Sequence, residues 1–424
     1  MKLAQRDKKV IWHPYTQHKI NPESIGIVRA KGAYVYDENG KKYIDASSSW
    51  WTCLHGHSHP YIARKVSGQL KKLEHVIFAG FTHEPAVELA ERLLKKLPKN
   101  QKRIFFSDNG STAVEVALKM SFQYGYNKGQ AKPKVIAFKN AYHGDTFGAM
   151  SVSERGAFTK PFQFGLFDTI FIDAPVKGKE EEAITQLKSS VIGHRSSISA
   201  FIFEPLIQGA AGMVVHDAGT LSKMIRICKE NNIHTIADEI FTGFGRTGKF
   251  FASDYLFEKP DIICLSKGLT GGVMPMGVTS CTEEIFNAFL SEDRMKTFFH
   301  GHSFTANPVA CSASLASMDL IEEKSTWRNI KRINKKHLSF QKTISRRPSV
   351  NTRVLGTILA IEIKTSDETS YFNTLRDKAA AFFLGKGILL RPLGNVIYLV
   401  PPYCIRDKDL DYIYDSIQEF LNLL

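Results

Sequence analysis

A chain of 424 residues is too long for one ordinary hydrophobic core, so two packed domains are expected. Hydrophobic residues make up 43% and charged residues 23%, the balance of a globular protein and not of a disordered one. The formal net charge of +14 raises nucleic acid as a partner, but no reading motif accompanies the charge, and no apolar run of about 18 residues offers a membrane span.

The amino terminus, residues 1–9, carries charges with no apolar stretch behind them, unlike a secretory signal. Six scattered cysteines (Cys53, Cys228, Cys264, Cys281, Cys311 and Cys404) form no CxxC pair. That usage reads as reduced thiols of a cytoplasmic protein, with no zinc site. Residues 1–50 read as an arm with a hairpin, its turn marked by Asn39-Gly40 between Tyr34-Val35-Tyr36 and Lys42-Tyr43. Strands are then expected at 103–106, 134–138, 200–204, 234–238 and 261–266. Between the first two, Val114, Ala117, Leu118, Ser121 and Phe122 mark the buried stripe of a helix over 112–124. The alternation predicts an α/β fold, a mostly parallel sheet with helices on both faces.

Past Asn307 the pattern changes. Residues 324–347 hold nine basic residues and no acid, while Trp327, Ile330, Ile333, His337, Phe340 and Ile344 recur at helical spacing. This predicts an amphipathic helix with a solvated basic face. Strands over 354–363 and 396–400 complete a smaller α+β domain. The expected division is an arm, 1–50, belonging with the small domain, a large domain over 51–310 and the small domain over 311–424.

Chemistry concentrates at the predicted strand ends. Ile262-Ile263-Cys264-Leu265 leads through Ser266 to Lys267 and a glycine-rich loop. Ligands collect at the carboxyl edge of such sheets, and an amine there can form a Schiff base with an aldehyde cofactor. Asp238 ends another apolar strand, and a pyridoxal phosphate site needs both a lysine and a carboxylate that keeps the pyridine nitrogen protonated. Asn109-Gly110-Ser111-Thr112 opens a helix, which is either a phosphate cradle or a plain N-cap by Ser111. Tyr142 follows the strand 134–138, where it can stack on an aromatic ring, and Glu204 ends a third strand. Arg391 interrupts an apolar run before Pro392, a position that suits either a substrate carboxylate or a structural ion pair.

Two other motifs point elsewhere. Gly243-Phe244-Gly245-Arg246-Thr247-Gly248 matches a dinucleotide fingerprint, but no apolar helix or acid-ended strand follows it. His55, His57, His59, His300 and His302 suggest a metal, but no set of carboxylate or thiolate partners goes with them. They read as polar loop histidines near a pocket mouth.

The order Gly110-Ser111-Thr112, Tyr142-His143-Gly144, Glu204-Pro205, Asp238-Glu239, Gly243–Gly248 and Ser266-Lys267 resembles the class III aminotransferases of fold type I. Trp12-His13-Pro14-Tyr15-Thr16, Ser48-Ser49-Trp50-Trp51, His300-Gly301-His302-Ser303-Phe304 and Arg391-Pro392-Leu393-Gly394 resemble the biotin-synthesis branch of that class. The resemblance spans nearly the whole chain. It implies pyridoxal 5′-phosphate as cofactor, with Lys267 its covalent anchor, Asp238 on the pyridine nitrogen, Gly110, Ser111 and Thr112 on the phosphate, and Tyr142 on the ring. Ser303, beside a His302 that replaces the family's usual proline, would reach the phosphate of the neighbouring subunit of a homodimer. Tyr15, Trp50, Tyr142, Gly301, Lys267 and Arg391 would form the substrate site, Tyr15 also taking part in catalysis. Arg391 would grip the carboxylate of a long-chain keto acid, a task suited to its bidentate fork. The implied activity is amination of 8-amino-7-oxononanoate by S-adenosylmethionine or lysine. Another ω-aminotransferase, acting on ornithine, 4-aminobutyrate or a diamine, is the alternative. No metal, nucleic acid or membrane partner is expected.

Overall fold

In the computed structural model, which describes residues 2–194, 196–366, 369 and 371–424, the central sheet has seven strands. Their spatial order is Gln101–Ser107, Gly277–Thr282, Ile262–Leu265, His234–Asp238, Ile198–Phe203, Lys134–Phe138 and Thr169–Ile172. Neighbours pair in parallel except for Gly277–Thr282, which is antiparallel to both of its neighbours.

Alternate residues of the inner strands enter two different cores, as the period of two requires. Val135, Ala137, Ala200 and Ile202 pack with Ala113, Val114 and Ala117 of the helix Gly110–Asn127. Ile136, Phe138, Phe201 and Phe203 face the other way, toward Leu187 of Glu180–His194 and Leu221 of Ala218–Glu230. Because helices cover both faces, Ile198–Phe203 and Ile262–Leu265 are buried at every position. Each fully buried phenylalanine or leucine contributes about 1.5–3 kcal/mol relative to exposure.

Two strands of this sheet escaped the sequence pattern. Thr169–Ile172 is a short, half-buried edge strand. Gly277–Thr282 is buried but rich in hydroxyls, which are satisfied within the core: Thr279 Oγ1 donates to Ala113 O (2.7 Å) and Ser280 Oγ to Gln101 Oε1 (2.7 Å). A polar strand of this kind has no apolar signature.

The expected hairpin forms, with Tyr34–Asp37 antiparallel to Lys42–Asp45, and Asp37 Oδ1 accepts the amides of Asn39 and Lys41 in its turn. Its outer strand pairs in parallel with Ile388–Leu389, so the two ends of the chain share one sheet. The single strand expected over 354–363 is instead an antiparallel hairpin, Val350–Leu355 with Ile358–Ile363. It turns at Gly356 (φ +57°), where a Cβ would lie 2.3 Å from Arg246 O. Val396–Leu399 adds the third strand. The helix Pro308–Glu322 runs unbroken through residue 310. The basic helix Lys324–Ile344 buries Ile330, Ile333, His337, Phe340 and Ile344. Its charged face is not wholly solvated, since Arg332 pairs with Asp407 and Lys336 with Asp411 of the last helix, Asp407–Asn422. Among the described residues no helix is long and apolar enough to cross a membrane.

Candidate active site

The parallel strands end along one edge of the sheet, and a cavity of about 810 Å³ opens there. Asp238 is the last residue of its strand and lies opposite Cys264 in the next one, three residues before Lys267. Lys267 itself adopts a left-handed backbone (φ 36°), a conformation that costs free energy for any residue but glycine. Its Nζ lies 4.9 Å from the ring centroid of Trp51 and 6.0 Å from that of Phe241. No carboxylate among the described residues forms an ion pair with it. Burial lowers the pKa of this amine, while Asp238 and Glu204 oppose the shift. An amine that yields its proton more readily is present to a larger extent as the free base, the form that can attack a carbonyl or take a proton.

Asp238 is held on both oxygens. His143 Nδ1 lies 2.7 Å from Oδ2, and the amide of Ile240 donates to Oδ1 (3.1 Å). His143 is buried, its amide donates to Ser153 Oγ (2.9 Å), and its Nε2 has no hydrogen-bond partner among the described residues. Glu204, also buried, accepts the amides of Tyr142 (3.2 Å) and Gly209 (2.9 Å), and burial pushes its carboxyl up to about 7.

The helix Gly110–Asn127 starts at the same edge. Its cap is Asn109 and not Ser111: Asn109 Oδ1 accepts the amide of Thr112, whose hydroxyl donates to Asn109 O (2.9 Å). Thr112 is thereby committed to the cap and does not line the cavity. Gly110 and Ser111 do line it, and first-turn amides have no intrahelical partner. Together with the positive end of the helix dipole, such amides suit an anion. The loop carrying Tyr142 closes onto this turn at Gly144 (φ +133°), where a Cβ would meet Ser111 Oγ at 2.1 Å. The set of a desolvated amine, a buried carboxylate and an anion-binding helix start fits an aldehyde cofactor with a basic ring nitrogen and a phosphate.

Aromatic side chains build the mouth. Tyr15 OH donates to Asp145 Oδ2 (2.5 Å), as does Tyr142 OH (2.9 Å), and the two phenols lie 3.2 Å apart. Burial and Asp145 push Tyr15 up to about 12, and burial also raises Tyr142. Both stay protonated near neutrality. The guanidinium of Arg391 lies 4.6 Å from the ring of Trp50 and 5.7 Å from that of Tyr15, and its Nη2 donates to Tyr371 OH (2.9 Å). No ion pair to Arg391 occurs among the described residues.

The cavity thus gathers Tyr15, Trp50, Gly110, Ser111, Tyr142, Asp238, Lys267 and Arg391. It does not include Thr112, Gly301, His302 or Ser303. His302 instead lies 3.5 Å from Asp108 and 3.3 Å from His300, beside the helix start but outside the cavity of its own chain. His143, Asp145 and Tyr371 were not singled out from sequence. The motif Tyr142-His143-Gly144 carried the signal for the first of these, and nothing local marked the other two.

The histidines expected near the mouth are elsewhere. His55 bonds Ser317 (3.0 Å), His57 bonds Asp45 (2.8 Å), and neither lines the cavity. The glycine pattern 243–248 folds as turns and not into a helix. Its Arg246 is buried, donating to Pro401 O (2.9 Å).

The family profile described as Aminotransferase class-III matches residues 15–421. The chain is 43% identical over 421 residues to the adenosylmethionine-8-amino-7-oxononanoate aminotransferase of Synechococcus elongatus, covering 97% of this chain and 98% of that protein. The crystal structure of the Methanocaldococcus jannaschii protein of the same name superposes with a TM-score of 0.93 at 37% identity, covering 98% of each chain. An amine transaminase from an uncultivated Pseudomonas species, solved in its PLP-bound form, gives a TM-score of 0.90 at 28% identity, covering 96% of this chain and 97% of that one.

Proposed function

The chain belongs to the class III aminotransferases, and from that membership we propose that it transfers an amino group from S-adenosylmethionine to 8-amino-7-oxononanoate, giving the 7,8-diamine for biotin synthesis. The observation that carries the choice of acceptor is Arg391, a cation against the Trp50 ring in the same cavity that Lys267 lines. A carboxylate there gains charge-assisted hydrogen bonds, and Trp50 and Tyr15 cover the aliphatic chain behind it.

When bound, pyridoxal phosphate supplies an aldehyde that condenses with amines and a ring that draws electrons from the adjacent carbon. Lys267 would hold that aldehyde. Its Nζ, when free, would take the proton from the donor's amine-bearing carbon. In the second half-reaction it delivers a proton to the acceptor's former carbonyl carbon. Asp238, oriented by His143, would pair with the ring nitrogen. The amides of Gly110 and Ser111 would hold the phosphate, with the Ser111 hydroxyl beside them, and Tyr142 would lie against the ring. Tyr15, its hydroxyl proton donated to Asp145, would line the mouth and orient the incoming amine-bearing substrate through its ring and phenol oxygen.

A homodimer completes the site. Residues 301–303 lie outside their own chain's cavity and are available to a second copy. Val10, Trp12 and Ile20 are exposed apolar side chains on the arm, a surface that a partner would cover. Five buried cysteines and no disulfide among the described residues support a cytoplasmic setting.

The deciding experiment incubates the cofactor-loaded protein with 8-amino-7-oxononanoate and, separately, S-adenosylmethionine or lysine, and measures the diamine. Formation with S-adenosylmethionine is expected. Formation with lysine alone reassigns the donor. Turnover of ornithine or 4-aminobutyrate, with none of the amino-oxo acid, overturns the assignment.

A further inference from the structure

The turn that carries Trp50 and Trp51 is held in a costly conformation. Ser48 (φ 51°), Ser49 (φ 60°) and Trp51 (φ 67°) all lie in the left-handed region. Such a run persists only where its surroundings over-determine it. Asp45, whose side chain is wholly buried, supplies most of that constraint. Its Oδ1 accepts the amide (3.1 Å) and hydroxyl (3.4 Å) of Ser47. Its Oδ2 accepts the amide of Ser49 (2.7 Å) and lies 2.8 Å from His57 Nε2. His57 is fixed in turn by the hairpin arm, its backbone exchanging two hydrogen bonds with Gly32 (2.8 and 3.0 Å). Ser48 Oγ ties the turn to Val400 O (2.7 Å).

The same carboxylate sits at a second junction. Asp45 lies opposite Leu389 in the parallel pair, and the amide of Ala46 donates to Leu389 O (2.9 Å). Arg391 is two residues farther along that segment. The strand end at Asp45 therefore sets both the turn bearing Trp50 and the register of Arg391, the two groups that meet at 4.6 Å in the mouth. Neither Asp45 nor His57 lines the cavity.

We propose that Asp45 and His57 are a positioning pair that holds the 47–51 turn so that Trp50 and Arg391 form the carboxylate end of the substrate site. This rests on the role given to Arg391 above. The pair is not a switch near neutrality. The imidazole faces Asp45 and Cys53, and the Asp45 hydrogen bond lifts it to about 10, so it stays charged over the working range. An imidazolium that keeps its charge there is suited to fixing a geometry.

The test uses the holoenzyme. Asp45→Asn removes the charge and one of the two acceptor oxygens, so one side chain can no longer satisfy Ser47 and the Ser49–His57 pair together. The KM for the amino-oxo acid is expected to rise roughly ten- to a hundredfold, the scale of ångström misplacements at reacting sites, while the donor half-reaction stays within about threefold. His57→Ala should show the same split. His57→Gln, whose amide still donates to Asp45, should restore most of the affinity, and this pair decides the matter if Asp45→Asn does not fold. The second readout needs no turnover: near-ultraviolet dichroism of the turn, referenced to Trp50→Phe, should change in Asp45→Asn and His57→Ala. Unchanged KM and dichroism overturn the proposal. Equal damage to both half-reactions with unchanged dichroism also overturns it. Should the wild type fail to convert the amino-oxo acid at all, the functional reading falls, and the dichroism still decides the positioning role.

Discussion

At the sheet edge, Lys267, Asp238, Glu204 and His143 come from strand ends and the turn beside them, and each is held by buried hydrogen bonds or by strained backbone. At the mouth, Tyr15, Trp50, Tyr371 and Arg391 come from opposite ends of the chain, Tyr15 and Trp50 are 39% and 43% exposed, Arg391 lies over the faces of both rings, and the two rings meet edge-on. In a dry environment charges interact strongly, and desolvation itself tunes the lysine. In the mouth, water screens charge, so the proposed recognition would rest on shape and on the guanidinium fork of Arg391. Chemistry and selectivity are thereby separable, and mutation can test the separation.

The largest effect is expected at the dry end. Lys267→Ala should slow turnover by roughly four orders of magnitude, because one group supplies both anchor and proton transfer. Fold and cofactor binding should survive, checked by circular dichroism and retained phosphate. Activity within tenfold of wild type would break the comparison at its root. Asp238→Asn comes next, with a loss of roughly 100- to 1000-fold, the range found when one preorganised electrostatic group is removed. The visible spectrum should shift in both half-reactions with little change in melting temperature. A selective effect on one substrate would place Asp238 on the wrong side of the divide.

The wet end should behave differently. Arg391→Ala is expected to lower the efficiency of the acceptor half-reaction about 10- to 100-fold, the worth of a charged hydrogen-bond pair, and to leave the donor half-reaction nearly intact. Stopped-flow absorbance of each half separates the two, and equal losses would make Arg391 structural.

The smallest effect concerns stability behind the mouth. His57→Ala should cost about 1–3 kcal/mol, the price of a charged hydrogen bond. The folded imidazole titrates near 10, above its ordinary 6.5, so its contribution is complete below the ordinary value and is lost as pH rises through about 10. Denaturant titrations of both proteins should converge toward pH 10, and a gap that widened with pH would contradict the pairing.

How much of this was legible depends on distance along the chain. Asp238, Lys267 and the helix start at Gly110 follow directly from apolar runs that stop where chemistry begins, because a strand end is a local property. Even there the N-cap alternative fell on Ser111, since Asn109 and Ser111 are similarly good capping residues and only the folded backbone shows Asn109 Oδ1 accepting the Thr112 amide. The hydroxyl-rich strand Gly277–Thr282 stayed hidden because its polarity is cancelled by partners elsewhere in the sequence.

The sequence by itself determined the α/β framework and its anchoring residues, for these depend on periodicity and on where it breaks. Tertiary structure alone decided that His143 meets Asp238 across 95 positions, Tyr15 meets Tyr142 across 127, and Asp45 lies opposite Leu389 in the strand leading to Arg391. Such contacts join residues whose own neighbourhoods carry no mark of them, and they exist only once the sheets have brought the two ends of the chain together.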